Sequence, residues 1–158
     1  MNLRPATPAD APAMADLLNR IIAIGCTTAH ELPFSAAQVD HHYISGASVV
    51  CCHLAEDAAG LIGFQAVELY PGRAGWGDIG SFVDPDRQRS GAGATLFAAT
   101  EAACRAAGLS AINATIRADN APGLGYYARR GFVDYAQDPE YALKSGRIVG
   151  RISRRFDL

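Results

Sequence analysis

The chain has 158 residues, with 14 Lys and Arg against 16 Asp and Glu, a net charge of -2, and 49% hydrophobic residues. That length fits one domain over 1–158. The near-neutral balance gives no electrostatic footprint for nucleic acid or an anionic membrane, and no apolar run is long enough to span a bilayer. The opening Met1-Asn2-Leu3-Arg4-Pro5 lacks the apolar core of a secretory leader, so the expected location is cytoplasmic.

Residues 2–4 read as a short first strand. Thr7-Pro8-Ala9-Asp10 is a helix start, with a hydroxyl at the cap, Pro at the first helical position and an acid in the first turn. Met14, Leu17, Leu18 and Ile21 continue it at helical spacing. Residues 26–33 look irregular. Ser35 caps a second short helix carrying Val39, His42 and Tyr43, which ends near Gly46. Residues 49–55 and 61–69 are strands around a turn at 57–60. A Pro/Gly turn at 70–75 leads to a strand over 76–83, stopped by Asp84-Pro85. An alanine-rich helix spans 94–107 and ends at Gly108. A strand follows at 111–117, then a helix at 121–130. Final strands are expected at 132–135 and 147–156, with a turn at 144–146. The cysteines (26, 51, 52 and 104) include no C-x-x-C pair and read as buried reduced thiols. The four histidines have no metal-ligand spacing, so no metal is expected.

The most informative segment is Gln88-Arg89-Ser90-Gly91-Ala92-Gly93, between a strand and the alanine-rich helix. Its glycines let backbone approach a ligand closely. The first-turn N–H groups of the next helix have no intrahelical partner and sit at the positive end of the helix dipole. Together they make an anion site suited to a pyrophosphate, continuing into Ala94. Arg87 and Arg89 add charge at the rim.

This loop matches Q/R-x-x-G-x-G/A, and a second block follows at the right distance: Asn120-Ala121-Pro122-Gly123-Leu124-Gly125-Tyr126-Tyr127-Ala128-Arg129-Arg130-Gly131-Phe132. Both blocks, in this order and separated by one strand, resemble the GNAT family of acyl-CoA-dependent N-acetyltransferases. The likeness is firm over 76–135 and looser in the first half. It implies an α/β (α+β) fold, a mixed central sheet flanked by helices, and acetyl-CoA as co-substrate. It also implies a small-molecule primary amine as acceptor, and a homodimer in which 147–158 pairs across the interface. The loosest part of the resemblance is to the phosphinothricin and amino-acid N-acyltransferases.

Acyl transfer from a thioester needs a cradle for the CoA phosphates, a polarised carbonyl, a neutral amine and an acid for the departing thiolate. The resemblance places Tyr127 as that acid, and a phenol with pKa near 10 suits a thiolate. It places a main-chain N–H at a bulge in strand 76–83, where Gly80 permits one. Phe82 and Val83 would lend backbone groups to the pantetheine arm. Asn120 would cap its helix and also bond that arm. Asp78 matches a position where relatives carry a Glu, and is the expected base acting through water, with Glu68 and His30 in reserve. The acceptor pocket is expected from 26–34, through Thr28, His30 and Phe34, and from 70–76. Arg73 or Arg117 would clamp an acceptor carboxylate. The competing expectation is an acyl-CoA-binding sensor on the same fold, which needs neither acid nor base.

Overall fold

The computed structural model describes all 158 residues. Seven strands form one sheet in the order β1-β2-β3-β4-β5-β7-β6. They are β1 (Asn2–Pro5), β2 (Val49–Asp57), β3 (Gly60–Leu69), β4 (Trp76–Val83), β5 (Ala111–Arg117), β6 (Val133–Asp138) and β7 (Arg151–Asp157). Four α-helices are α1 (Ala11–Ile24), α2 (Ala36–Val39), α3 (Ala92–Ala106) and α4 (Ala121–Arg129). No helix is long and apolar enough to cross a membrane.

Local chemistry sets most boundaries. Asp10 accepts from the Thr7 N–H and hydroxyl at the entry to α1. Ser35 and Gln38 bond reciprocally at the start of α2, a capping box. The chain then runs on through one π-helical stretch, Asp40–Ile44. Gly108, at φ +77°, closes α3.

Strand alternation sorts the core into two faces. Phe64, Ala66 and Phe82 pack against α1, Val39 and Tyr43. Val67, Ile79, Ile112, Ala114 and Ile116 pack against Phe97 and Cys104 of α3, Tyr127 of α4 and Phe132. All neighbouring strands are antiparallel except β4 and β5, which are parallel. Their pairing lasts for three positions: Trp76 with Ala111, Gly77 with Ile112 and Asp78 with Asn113. Beyond Asp78 the two strands part.

Several expectations are corrected. The alanine-rich helix begins two residues early, at Ala92, because Gly91 serves as its N-cap. The last strand begins at Arg151, since the segment before it is occupied by the isolated bridge of Ala142 with Ile148. That strand is internal, covered by β5 and β6, so the free edge on this side is β6. The β3–β4 register runs through Gly80 without a shift, so no bulge interrupts it. Of the thiols, Cys52 and Cys104 are buried, Cys51 is half-buried and Cys26 is exposed.

Arg4 ties the first strand to both neighbours. It donates two hydrogen bonds to Asp10, each 2.8 Å, and two to Glu56 at 2.9 and 3.0 Å. The guanidinium holds the Asp10 carboxyl well below the usual carboxylate range. A depressed folded-state pKa stabilises above the unfolded value, and the gain is lost as pH falls toward the folded value. Asp10→Asn is therefore expected to lower Tm by about 2–4 °C at pH 7, for a loss of about 1 kcal/mol. The difference should shrink from about pH 4 downward. Thermal melts of both proteins across pH 2–7 check this; a gap unchanged at low pH would dismiss the ion pair as its source.

Candidate active site

The parting of β4 and β5 opens a cleft of about 1060 Å³ through the middle of the sheet. The phase of the adjoining hydrogen bonds is fixed by Asp84, whose N–H donates to Ile62 O at 2.8 Å. Alternation along β4 then turns the backbone groups of Gly80 and Phe82 toward β3, and those of Ile79, Ser81 and Val83 toward the cleft. Val83 and Phe82 both line the cleft; Val83 turns its backbone groups to it, while the Phe82 backbone pairs with β3 and its ring packs on Tyr43 and Phe64.

The loop before α3 forms the mouth on one side. Gln88, Arg89, Gly91, Ala92, Gly93 and Ala94 line it. Arg89 and Gly91 both adopt left-handed backbone, at φ 65° and 85°. That conformation is uncommon for a non-glycine residue, and such strain collects at ligand sites. Left-handed residues of this kind can turn successive N–H groups toward one concavity, the geometry of an anion nest, and here they stand beside a helix N-terminus. Ser90 lies outside it, with its hydroxyl turned back to the Ala92 N–H at 3.4 Å. Arg87 is also removed from the rim, because its guanidinium binds Asp57 and Gly60 O.

Tyr127 lies on the α3/α4 face, 8% exposed, at the cleft wall. Its hydroxyl is 2.9 Å from Ser81 Oγ. Burial raises its pKa above the ordinary phenol value, and the Ser81 hydrogen bond opposes part of that rise. The phenol is thus a proton carrier at neutral pH. Asn120 caps α4 by accepting from the Gly123 N–H at 2.9 Å, and donates to Thr27 O at 3.2 Å. Its amide therefore ties α4 to the loop after α1.

Asp78 lies on the opposite face, directly across from Glu68 in register. Asn113 Nδ2 donates to Asp78 Oδ1 at 2.6 Å, and Tyr135 donates to Asn113 Oδ1. Burial raises the Asp78 pKa most, the Asn113 bond works against this, and the Glu68 charge adds to it. The carboxyl is therefore a stronger base than a solvated Asp. His30 stands nearby, 2.6 Å from the Tyr43 hydroxyl, stacked over Phe82 and kept neutral chiefly by burial. Thr28 completes this end, its Oγ accepting from the His30 N–H.

On the acceptor side the geometry differs from three expectations. Phe34 lines a separate pocket of about 360 Å³ with Glu31, His42, Tyr141 and Lys144; His30 borders both. Residues 70–76 do not line the cleft, and Arg73 stacks over Trp76 and Tyr135 instead. Arg117 does line it, but its Nε and Nη2 are held by Asp119. Sequence reading missed Tyr43, Gln65 and Ser81. A Gln and a Ser inside otherwise apolar strand runs were the available signal.

The sequence model of the acetyltransferase (GNAT) family matches residues 16–132. Mycothiol acetyltransferase of Clavibacter michiganensis subsp. michiganensis is 42% identical over 89 residues, covering 56% of this chain and 28% of that protein. The same enzyme from Clavibacter sepedonicus is 38% identical over 89 residues, 56% of this chain and 29% of the relative. The chain thus spans less than a third of the length of these relatives. Among solved structures, a ribosomal-protein-alanine N-acetyltransferase from Brucella melitensis superposes with a TM-score of 0.87 at 20% identity, over 100% of both chains. A phosphinothricin acetyltransferase from Sinorhizobium meliloti in complex with acetyl-CoA gives 0.87 at 21% identity, over 99% of this chain and 88% of that one. At such identities the structures speak for the fold, while the sequence match over most of the chain decides its kinship: the protein belongs to the acetyltransferase (GNAT) family.

Proposed function

We propose that the chain transfers an acetyl group from acetyl-CoA to the primary amine of a small molecule, by direct attack in a ternary complex. The observation that carries this is the two-sided cleft. A nest for phosphate and a buried phenol lie on the α3/α4 face, and a carboxylate pair lies on the other. Acetyl-CoA would enter along the first face, its pyrophosphate on the 88–94 loop and its pantetheine beside the free backbone of β4. Its thioester would lie in the gap, within reach of Tyr127 as acid. The amine would approach from the side of Asp78, Glu68 and His30. Asp78 takes the ammonium proton through water, so that the neutral amine can attack.

The relatives' name brings the acceptor of the mycothiol acetyltransferases into the reading. Charge narrows it further. With Arg73 stacked away and Arg117 held by Asp119, neither of the two expected guanidinium forks is free for an acceptor carboxylate, whereas Glu68 and Asp78 favour a cation at this end. An amine without an adjacent carboxylate suits this end better than a free amino acid. The deciding experiment measures CoA thiol release from acetyl-CoA with three acceptors: that of the mycothiol acetyltransferases, phosphinothricin, and a peptide with N-terminal alanine. Amine-dependent release is expected, strongest for an acceptor with no carboxylate beside its amine. Tight acetyl-CoA binding without release by any amine would instead support a sensor.

Two variants probe the assigned parts. Gly91→Val forces a β-branched residue into left-handed backbone, at about 1–2 kcal/mol, so the loop relaxes away from its nest. Acetyl-CoA affinity is expected to fall by about 5- to 30-fold, read by calorimetry on a protein shown to be folded. Undiminished affinity would reject the cradle.

Asp78→Asn removes a base that must be ionised to work. The raised pKa predicts that wild-type kcat/KM climbs through a limb lying above the ordinary carboxylate value of about 3.9. The variant is expected to lose most near pH 7 and to recover partly at high pH, where solvent supplies neutral amine. Parallel pH profiles for the two proteins would take Asp78 out of the mechanism.

A further inference from the structure

Gln65 sits in the middle of β3 with none of its surface exposed. Such a side chain, inside an apolar run, is kept only if its hydrogen bonds are made. Two are. Its Nε2 donates to Ser81 Oγ at 2.7 Å, directly across the β3–β4 pair, and to the Tyr126 hydroxyl at 3.0 Å. Its Oε1 is buried with no partner. The amide is therefore held for its two donors.

Counting protons fixes the direction of three of the four bonds. Tyr126 donates its one proton to Gly93 O at 2.8 Å, because a carbonyl can only accept. The Tyr126 oxygen can then only accept from Gln65, which excludes the reversed amide: it would set two oxygens face to face. The second Gln65 N–H occupies one lone pair of Ser81 Oγ. Ser81 Oγ keeps one lone pair and one proton, and the Tyr127 hydroxyl stands 2.9 Å away, where either oxygen can donate. With Ser81 as the donor, the phenol proton of Tyr127 is left for the cleft that both residues line.

We propose that Gln65 and Ser81 are positioning residues that orient the Tyr127 proton toward the leaving thiolate and stabilise the phenolate it leaves behind. As the thioester C–S bond breaks, its electron pair stays on sulfur, which takes the Tyr127 proton. The phenolate oxygen keeps the hydrogen bond from Ser81, itself polarised by Gln65, until water returns a proton. The same Gln65 amide, through Tyr126 and Gly93 O, anchors the first turn of α3. One buried side chain thus registers the acid against the phosphate cradle. Gly93 is part of this: a Cβ there would stand 2.9 Å from the Tyr126 ring. The inference rests on the reading of Tyr127 as the acid.

The test needs no acceptor. CoA is bound to the protein and its thiol is titrated by thiolate ultraviolet absorbance, with the desulfo-CoA complex as reference. A phenol that donates to the sulfur raises the thiolate fraction. Tyr127→Phe is expected to lower that fraction about tenfold at fixed pH, a hydrogen bond to a charged group being lost. Ser81→Ala and Gln65→Leu are expected to lower it about threefold, the weight of one neutral hydrogen bond acting at one remove. Ser81→Thr, which keeps the hydroxyl, should stay at the wild-type value. Desulfo-CoA affinity should change by less than about twofold in Ser81→Ala, since no contact to the cofactor is removed. In a Tyr127→Phe background, Ser81→Ala should add nothing. Wild-type titration in Ser81→Ala, beside a shifted Tyr127→Phe, would overturn the relay and leave the acid in place. Wild-type titration in Tyr127→Phe would remove the acid and the relay together. Ser81 carries the test even if Gln65→Leu fails to fold.

Discussion

Parallel strands β4 and β5 share three paired positions and then separate, and a sheet cannot open without consequence. Every backbone N–H and C=O on the inner edges of the gap loses its partner, and a buried unpaired group costs about 1–3 kcal/mol. The gap must therefore hold water or a ligand with its own amides. A pantetheine arm carries such amides, so the opening that breaks the sheet also completes it when the cofactor lies between the strands. With the sheet closed, Tyr127 and Asp78 would be separated by a continuous wall of backbone.

The two faces are chemically unlike. On the α3/α4 side the polar groups form a connected chain, Gln65 to Ser81 to Tyr127, and Gln65 to Tyr126 to Gly93. On the other side stand Asp78, Glu68 and His30, with burial raising the Asp78 pKa and lowering that of His30, each in favour of its uncharged form. Buried titratable groups drift in this way unless a partner holds them. On the reading proposed above, one face would deliver a proton and the other receive one across the strand gap.

The legible parts of the sequence were the local ones. The 88–93 loop and the 120–132 block carry their geometry within a few residues, as glycines, caps and helix starts. The strands at 76–83 and 111–117 match to the residue, while the next, expected at 132–135, runs from Val133 to Asp138. What could not be read was who faces whom. That Gln65 meets Ser81 depends on the β3–β4 register, and that Arg73 stacks on Trp76 and Tyr135 depends on a strand sixty residues away. The expected acceptor wall at 70–76 failed for that reason: the segment adjoins the paired end of β4 and β5, not the open end. Arg117 was correctly placed in the cleft, yet a neighbour two residues on, Asp119, decided what it could do.

The position of β7 has a consequence for how the sheet is made. This strand lies between β5 and β6, and β6 has no other partner. Both flanking strands leave the ribosome before it, so β5 waits with one open edge and β6 with both while the 139–150 segment is synthesised. Seven residues, Arg151–Asp157, then close two ladders at once. The wall that carries β5, and with it one side of the cleft, gains its outer support only at that moment. Until then β6 is a single unpaired strand, and a released chain ending before Arg151 would expose one edge of β5 and both edges of β6, each competent to pair with another copy.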